Sequence, residues 1–349
     1  MKNMLVTGGC GFIGTNFIRY LFEETDFSGR IINADKLTYA GNRENLTDIE
    51  KSFQERYVFI MADICDKDKL AEIFDDYQID TICHFAAESH VDRSIVRPEA
   101  FIQTNIIGTF NLLEVARSRL DQIYLFHHIS TDEVFGSLGE NGYFTEETPY
   151  KPTSPYASSK AASDHLVRAY HKTYGLPNTL SHCSNNYGPY QFPEKLIPLS
   201  ILHALEGKPL PVYGDGKYIR DWLYVRDHCM AIWLIMKKGR RGETYNIGGN
   251  CEMVNLTLVE NLCNALDTVV GKRNNQSRKN LITFVKDRPG HDRRYAIDGH
   301  KVREELGWSP KETFESGIKK TIHWYLNNKE WVSQIKSGEY RSWIAEQYE

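Results

Sequence analysis

The sequence predicts an α/β fold: a Rossmann-type doubly wound parallel sheet with a smaller carboxy-terminal α/β unit. Three observations lead there. Short apolar runs alternate with stretches of helical period through the first half of the chain. A glycine-rich turn, Gly8-Gly9-Cys10-Gly11-Phe12-Ile13-Gly14, joins the first apolar run to the first helical pattern. Residues able to do chemistry recur at the carboxyl ends of the apolar runs, the edge where open parallel sheets hold ligands.

The first strand is expected over 3–7, and the next helix shows its apolar face at Phe17, Ile18, Leu21 and Phe22. Between them, Gly8 allows a tight turn, Gly11 the close approach of a pyrophosphate, and Gly14 the packing of helix on strand. The helix amino terminus then offers unpaired N–H groups and a positive dipole end to phosphates. A second strand over 31–34 ends in Asp35, where an acid holds a ribose diol and repels a 2′-phosphate, so NAD is expected over NADP despite the adjacent Lys36. A third strand over 57–62 ends at Asp63-Ile64, placed to meet an adenine. A fourth over 80–87 runs into Ala86-Ala87-Glu88-Ser89-His90, small enough to pass close to a cofactor. One long helix is expected over 98–118, with Thr104-Asn105 inside it.

The fifth strand, over 123–129, leads to Ser130-Thr131-Asp132-Glu133. In the helix that starts after Pro155, Tyr156 and Lys160 share a face, one turn apart. A Lys ammonium beside a phenol is expected to lower its pKa from about 10 and make Tyr156 a base near neutral pH. A Tyr/Lys pair suits removal of an alcohol proton during hydride transfer. Two further carboxyl groups suit additional proton transfers, as an elimination of water needs. Either motif alone is common by chance; their convergence with the glycine loop on one sheet edge carries the weight.

In the second half a strand is expected over 178–183, then a loop over 184–189 whose Asn185 and Asn186 offer uncharged donors. Glu194-Lys195-Leu196 opens a helix, 210–213 is a short strand holding Pro211 and Tyr213, and Arg220-Asp221 precedes a strand over 222–225. Thr257, with Glu260 at capping-box spacing, is the expected N-cap of a helix reaching about Val269. Residues 273–279 read as an exposed basic loop. Arg288 to Tyr295 is either a solvated loop or a clamp on an anionic substrate, since Arg grips phosphate bidentately. The expected division is 1–180 for the cofactor and 181–349 mainly for substrate, with the chain crossing between them.

At 349 residues, 41% hydrophobic and 25% charged, the composition is that of a globular protein of one large or two unequal domains. A net charge of -4 without a basic block argues against nucleic acid as a partner. No apolar run approaches the ~20 residues of a membrane span. The seven cysteines are scattered without a Cys-x-x-Cys pair, so neither a metal nor a disulfide framework is expected. The amino terminus enters a strand without signal-peptide features, and a cytoplasmic location is the expectation.

Over nearly its whole length the chain resembles the extended short-chain dehydrogenase/reductase superfamily and, within it, the dTDP-glucose 4,6-dehydratases. The marks are Thr7-Gly8-Gly9-x-Gly11-Phe12-Ile13-Gly14, Asp35-Lys36-Leu37-Thr38-Tyr39-Ala40-Gly41 and Ala86-Ala87-Glu88-Ser89-His90-Val91-Asp92-Arg93-Ser94. They continue with Ser130-Thr131-Asp132-Glu133-Val134-Phe135-Gly136, Tyr156-x-x-x-Lys160, Cys183-Ser184-Asn185-Asn186-Tyr187-Gly188-Pro189-Tyr190 and Arg220-Asp221-Trp222. Sugar 4-epimerases share the glycine loop and the Tyr/Lys pair but usually lack the Asp-Glu after Thr.

The resemblance implies that Tyr156 removes the 4-hydroxyl proton as hydride passes to NAD, with Lys160 lowering its pKa and Thr131 positioning the hydroxyl. Glu133 then takes the carbon 5 proton and protonated Asp132 sends the 6-hydroxyl out as water, before hydride returns to carbon 6. The implied cofactor residues are Gly8, Gly11, Phe12, Ile13, Gly14, Asp35, Lys36, Thr38, Asp63, Ile64, Ala86, Ala87, Thr104 and Asn185, with Tyr156 and Lys160. The implied substrate residues are Ser89, His90, Thr131, Asn186, Glu194, Lys195, Leu196, Pro211, Tyr213, Arg220, Asn255, Arg288 and His291. A homodimer joined by helices near 98–118 and 156–174 is also implied. The departures are Phe135 where Tyr is common and Ser181-His182 where an Arg often precedes Cys183; they touch substrate detail rather than the chemistry. Competing readings are a dehydratase of UDP-glucose or another sugar nucleotide, a 4-epimerase or decarboxylase, and a non-catalytic NAD-binding protein.

Overall fold

The computed structural model describes residues 1–336; positions 337–349, the tail of the second expected unit, lie outside the described residues. The strands are β1 (Asn3–Thr7), β2 (Arg30–Asp35), β3 (Tyr57–Met61), β4 (Thr81–His84), β5 (Leu125–Thr131), β6 (Asn178–Cys183), β7 (Asn185–Tyr187), β8 (Leu210–Tyr213), β9 (Ile219–Tyr224), β10 (Thr244–Ile247), β11 (Glu252–Val254) and β12 (Ile282–Val285). The helices are α1 (Phe12–Glu24), α2 (Thr47–Ser52), α3 (Lys67–Tyr77), α4 (Val91–Val96), α5 (Pro98–Phe101), α6 (Thr109–Arg117), α7 (Pro155–Tyr174), α8 (Leu196–Glu206), α9 (Val225–Lys238), α10 (Asn255–Val270), α11 (His300–Leu306), α12 (Phe314–Asn327) and α13 (Lys329–Ile335).

Seven strands form the main sheet in the order β10-β6-β5-β4-β1-β2-β3, and every neighbouring pair is parallel. Parallel strands are covered on both faces, which is why Met4, Leu5 and Val6 are consecutive, apolar and all buried. Phe17, Ile18 and Leu21 of α1 pack with Ile232 and Ile235 of α9 in one apolar layer. Leu70 and Phe74 of α3, Leu112 of α6 and Val167 of α7 build the opposite layer. Each such side chain, fully buried, contributes roughly 1.5–3 kcal/mol. A third cluster joins Ile201 of α8, Leu262 of α10 and Ile322 of α12, beside two small sheets, β11-β9-β7 and β12-β8. The chain crosses back from this region twice, first when α9 packs on α1 and β10 pairs with β6 to extend the main sheet, and again when α11 packs against α9 and β10.

Several local expectations need correction. The single helix expected over 98–118 is interrupted by a π-helical turn over Ile102–Gly108. Asn105 explains the break: its buried amide accepts from the Glu88 N–H at 2.8 Å and donates to the Glu88 carbonyl at 3.0 Å and to Ser159 Oγ at 2.8 Å. These tertiary bonds widen the turn, as π-turns do at functional sites. Thr257 is not an N-cap, because α10 already begins at Asn255 and Val254 supplies no side-chain cap. The first amides of α10 are met instead by carbonyls of a neighbouring turn, Asn255 N to Tyr218 O at 2.8 Å and Leu256 N to Gly216 O at 3.0 Å. The 273–279 loop is not wholly exposed: Arg278 is buried and donates to Asp267 Oδ1 at 2.5 Å and to the Gly271 carbonyl at 2.6 Å. The 184–189 loop contains the short strand β7, paired in parallel with β9.

Candidate active site

The carboxyl ends of β1, β2, β4, β5 and β6 open into one cleft. Gly8 turns the chain out of β1 with φ of 72°, its N–H donating to the Ala34 carbonyl at 2.9 Å. A Cβ on Gly8 would stand 2.7 Å from Ala86 Cα, and one on Gly14 would collide with the Gly8 carbonyl. Gly11, at the N-cap of α1, makes no side-chain cap, so the first amides of that helix face the cleft without a side-chain acceptor.

At the end of β2, Asp35 Oδ2 accepts from Cys10 N at 2.9 Å and Oδ1 from Leu37 N at 2.8 Å, which fixes the carboxylate beside the glycine turn. Burial pushes its pKa up while both amides oppose this. Lys36 pairs with Asp63 at 2.7 Å, so its charge is directed sideways along the sheet edge rather than at Asp35. Asn185 Oδ1 is buried with no hydrogen-bond partner among the described residues and belongs to a residue bordering the cleft. Bare helix amides, a fixed acid at the β2 tip and an unmatched buried amide oxygen fit a dinucleotide.

Thr131 ends β5 and caps the tight turn Asp132–Phe135, its hydroxyl accepting from Glu133 N at 3.3 Å and lying 3.4 Å from Asp132 Oδ1. The next two side chains are acids in unlike surroundings, Asp132 buried and Glu133 half-buried. Burial raises Asp132 well above the usual carboxylate range, and the negative charges of Glu133 and Asp221 add to this against Arg220. Burial also raises Glu133, but Arg288, Lys195 and Arg220 pull it back. The environment therefore protonates Asp132 first and leaves Glu133 the more readily ionised of the two, the one available to accept a proton.

The expected lowering of the Tyr156 pKa is not what the structure shows. Burial, then the charge of Glu133, then Cys183 push the phenol well above its usual value, with the Thr131 hydroxyl acting in the opposite sense. Lys160 sends its ammonium to the Ile129 carbonyl at 2.8 Å and stands 3.4 Å from His128 Nε2, on the strand side. Burial lowers Lys160 to about 8, with Asp164 opposing.

Every residue expected to bind the cofactor borders this cleft, as do Thr131, Asp132, Glu133, Ser89, Asn186, Glu194 and Lys195. His90, Leu196, Pro211, Tyr213, Arg220, Asn255, Arg288 and His291 do not line it. Several of them form a second polar group nearby. Asp92 receives Arg288 Nη1 at 3.0 Å and the Tyr213 hydroxyl at 3.2 Å, while His291 stacks on Tyr218 with centroids 3.7 Å apart. Arg220 donates to the Asp292 carbonyl at 2.9 Å and lies 4.1 Å over the Tyr295 ring. His90 caps α4, Pro211 sits in the β8–β12 ladder, and Leu196 and Asn255 open α8 and α10. Sequence reasoning missed Glu88, Cys183, Gln191 and Phe192 on the cleft wall, and Asp92 and Tyr218 behind the second group. Asp92 stands in the same motif as Ser89 and His90, and that adjacency was the available signal.

A family model described as GDP-mannose 4,6 dehydratase matches residues 5–321. The dTDP-glucose 4,6-dehydratase 1 of Escherichia coli (strain K12) is 57% identical over 99% of both chains. The dTDP-glucose 4,6-dehydratase of Neisseria meningitidis serogroup B is 54% identical over 98% of both. Among solved structures, that of the dTDP-glucose 4,6-dehydratase of Streptomyces venezuelae with NAD bound is similar with a TM-score of 0.89 and 44% identity, over 96% of this chain and 100% of that one. A UDP-glucose 4-epimerase of Thermus thermophilus in complex with NAD has a TM-score of 0.82 and 27% identity, over 93% of this chain and 99% of that one.

Proposed function

The chain belongs to the dTDP-glucose 4,6-dehydratase family, and from that premise we propose that it converts dTDP-glucose to dTDP-4-keto-6-deoxyglucose and water. The observation that carries the reading is the pair Asp132 and Glu133, adjacent acids held in unlike charge environments beside Tyr156 and Lys160 in one cleft. An epimerase has no step that calls for such a pair.

The glycine turn and the α1 amino end would hold the diphosphate of NAD, Asp35 the adenosine ribose, Asp63 and Ile64 the adenine, Lys160 the nicotinamide ribose and Asn185 the carboxamide. Bound NAD supplies the hydride acceptor for carbon 4 and then the hydride donor for carbon 6. The protein moves the protons. Thr131 holds the sugar 4-hydroxyl and Tyr156 takes its proton. The resulting 4-ketone acidifies carbon 5, whose proton goes to Glu133. Asp132 gives its proton to the 6-hydroxyl, which leaves as water, and Glu133 returns its proton to carbon 5. One proton leaves oxygen 4 and one reaches oxygen 6, so Tyr156 and Asp132 must exchange a proton before the next turnover. General acid–base groups of this kind contribute about 10²–10⁴-fold each.

Arg220, Arg288 and Lys195, whose charges act on Glu133, are the groups suited to the nucleotide diphosphate. The same proposal divides the chain into a cofactor unit over 1–180 and a substrate unit over 181–349, the latter lending β10 to the main sheet. It also pairs two copies through 98–118 and 156–174, the first of which leaves Ile102, Ile107 and Phe110 exposed. A cytoplasmic location completes it: the cysteines are free, and no helix among the described residues is long and apolar enough to cross a membrane.

Incubation with dTDP-glucose and, separately, UDP-glucose tests the activity. The expected result is the base-induced absorbance of a 4-keto-6-deoxy sugar, stronger with dTDP-glucose. A galactose product would establish an epimerase, and no turnover of either would overturn the enzymatic reading. Sedimentation checks the dimer, and cell fractionation checks the location.

A further inference from the structure

Lys160 is 4% exposed, and a buried ammonium is costly unless an opposite charge stands near it. Its hydrogen-bond partners, the Ile129 carbonyl and His128 Nε2, are uncharged near neutral pH, because burial and Lys160 itself press His128 down to about 4. Among the described residues, no carboxylate forms a salt bridge with it within 4.0 Å. One turn further along α7, on the same helix face, stands Asp164.

Asp164 is fully buried and does not line the cleft. Its Oδ2 accepts from Ser130 Oγ at 2.9 Å and the Tyr150 hydroxyl at 2.9 Å, and lies 3.0 Å from His182 Nε2. Its Oδ1 lies 3.2 Å from His128 Nε2, the nitrogen that also faces Lys160. Burial pushes Asp164 up, but the His128 and His182 imidazoles beside it outweigh burial, hold the carboxylate well below its usual range and keep it ionised. The other titratable groups facing Lys160 carry no such charge: His84 from β4 and His128 from β5 are pressed toward neutral, and the Cys183 thiol from β6 is pushed up. Tyr156, on α7 itself, is likewise pushed up, and Asp132 and Glu133 are raised beside it.

We propose that Asp164 is the counter-charge of Lys160, a positioning residue that keeps the catalytic ammonium protonated from behind the strand, with His128 between them. It touches neither sugar nor cofactor; it acts through Lys160. The proposal rests on the dehydratase reading, in which Lys160 works as a cation.

The test compares Asp164→Asn, Asp164→Glu and Tyr150→Phe with the natural chain, recording kcat and KM for dTDP-glucose against pH. Asp164→Asn is expected to move the alkaline limb of kcat down by about one unit, roughly a tenfold loss above the limb, with KM within about twofold. Asp164→Glu keeps the charge and restores the limb. Tyr150→Phe removes one hydrogen bond to the same carboxylate but leaves its charge, so its limb stays in place. The second readout is thermal unfolding: the deficit of Asp164→Asn should shrink as pH rises through the Lys160 titration, because a neutral lysine needs no partner. A uniform fall in kcat with an unmoved limb, a pH-independent deficit, or an alkaline limb lowered by Tyr150→Phe would each overturn the proposal. If Asp164→Asn does not fold, the Tyr150→Phe limb still decides. Absence of turnover by the natural chain overturns the dehydratase reading instead, while the pH-dependence of the unfolding deficit continues to judge Asp164.

Discussion

Tyr39 donates its hydroxyl to Glu194 Oε1 at 3.1 Å across 155 residues of sequence, while Arg93 holds Glu194 Oε2 at 3.1 Å and lies 3.7 Å over the Tyr39 ring. The loop after β2, which borders the cleft through Thr38, Ala40 and Gly41, is thereby fastened to the segment ahead of α8. A hydrogen bond to a charged group contributes about 1.5–3 kcal/mol, part of which is felt by whatever the loop encloses. Tyr39→Phe should release bound NAD about threefold to tenfold faster, on the order of 1 kcal/mol. The measurement is the exchange of bound for labelled cofactor, and an unchanged rate would remove Tyr39 from the closure.

Glu133→Gln keeps the size of the side chain and removes the base. Oxidation at carbon 4 should continue, so reduced cofactor accumulates on the protein, while water loss slows by about 10²–10⁴-fold. Solvent exchange of the carbon 5 hydrogen should disappear in parallel. Full dehydration by this variant would take Glu133 out of the mechanism.

The raised pKa of Tyr156 sets the sign of a pH effect. A phenol that ionises late is the weaker acceptor at low pH, so single-turnover formation of reduced cofactor should rise as pH climbs through neutrality. It should fall again once Lys160, lowered to about 8, loses its proton. Tyr156→Phe should slow the first oxidation itself by about 10²-fold or more. A rate flat across this range in the natural chain would show that proton removal does not limit the step.

Gly8→Ala meets two obstacles together: φ of 72°, and Ala86 backbone 2.7 Å from the new methyl carbon. Strain of this kind costs about 1–3 kcal/mol. Thermal unfolding should register a loss of that size, and calorimetry should show weaker NAD binding. A variant with natural stability and affinity would show that the β1 turn relaxes freely.

What the sequence made legible was local. The glycine turn, Asp35, Thr131-Asp132-Glu133 and the Tyr156/Lys160 spacing are each defined within a few residues of a strand end, and strand ends of a parallel sheet share an edge. What escaped depended on distant partners. The start of α10 is decided by carbonyls of Gly216 and Tyr218, and the π-turn by Asn105 reaching the Glu88 backbone. Helical spacing put Lys160 on the Tyr156 face, but it did not reveal that the ammonium would turn toward Ile129, or that Glu133 would set the phenol's charge environment. The second polar group needed β8, β9 and the 287–295 loop to meet α4, a meeting with no signature in any single stretch.

The pairing of β10 with β6 has a bearing on how the molecule is made. The strand that covers the β6 edge and becomes the outer strand of the main sheet is translated after residue 243, long after the glycine turn. Until then β6, from Asn178 to Cys183, presents bare backbone that any extended peptide can extend. The nascent chain therefore carries an unpaired strand edge from the completion of β6 at Cys183 until β10 is completed at Ile247.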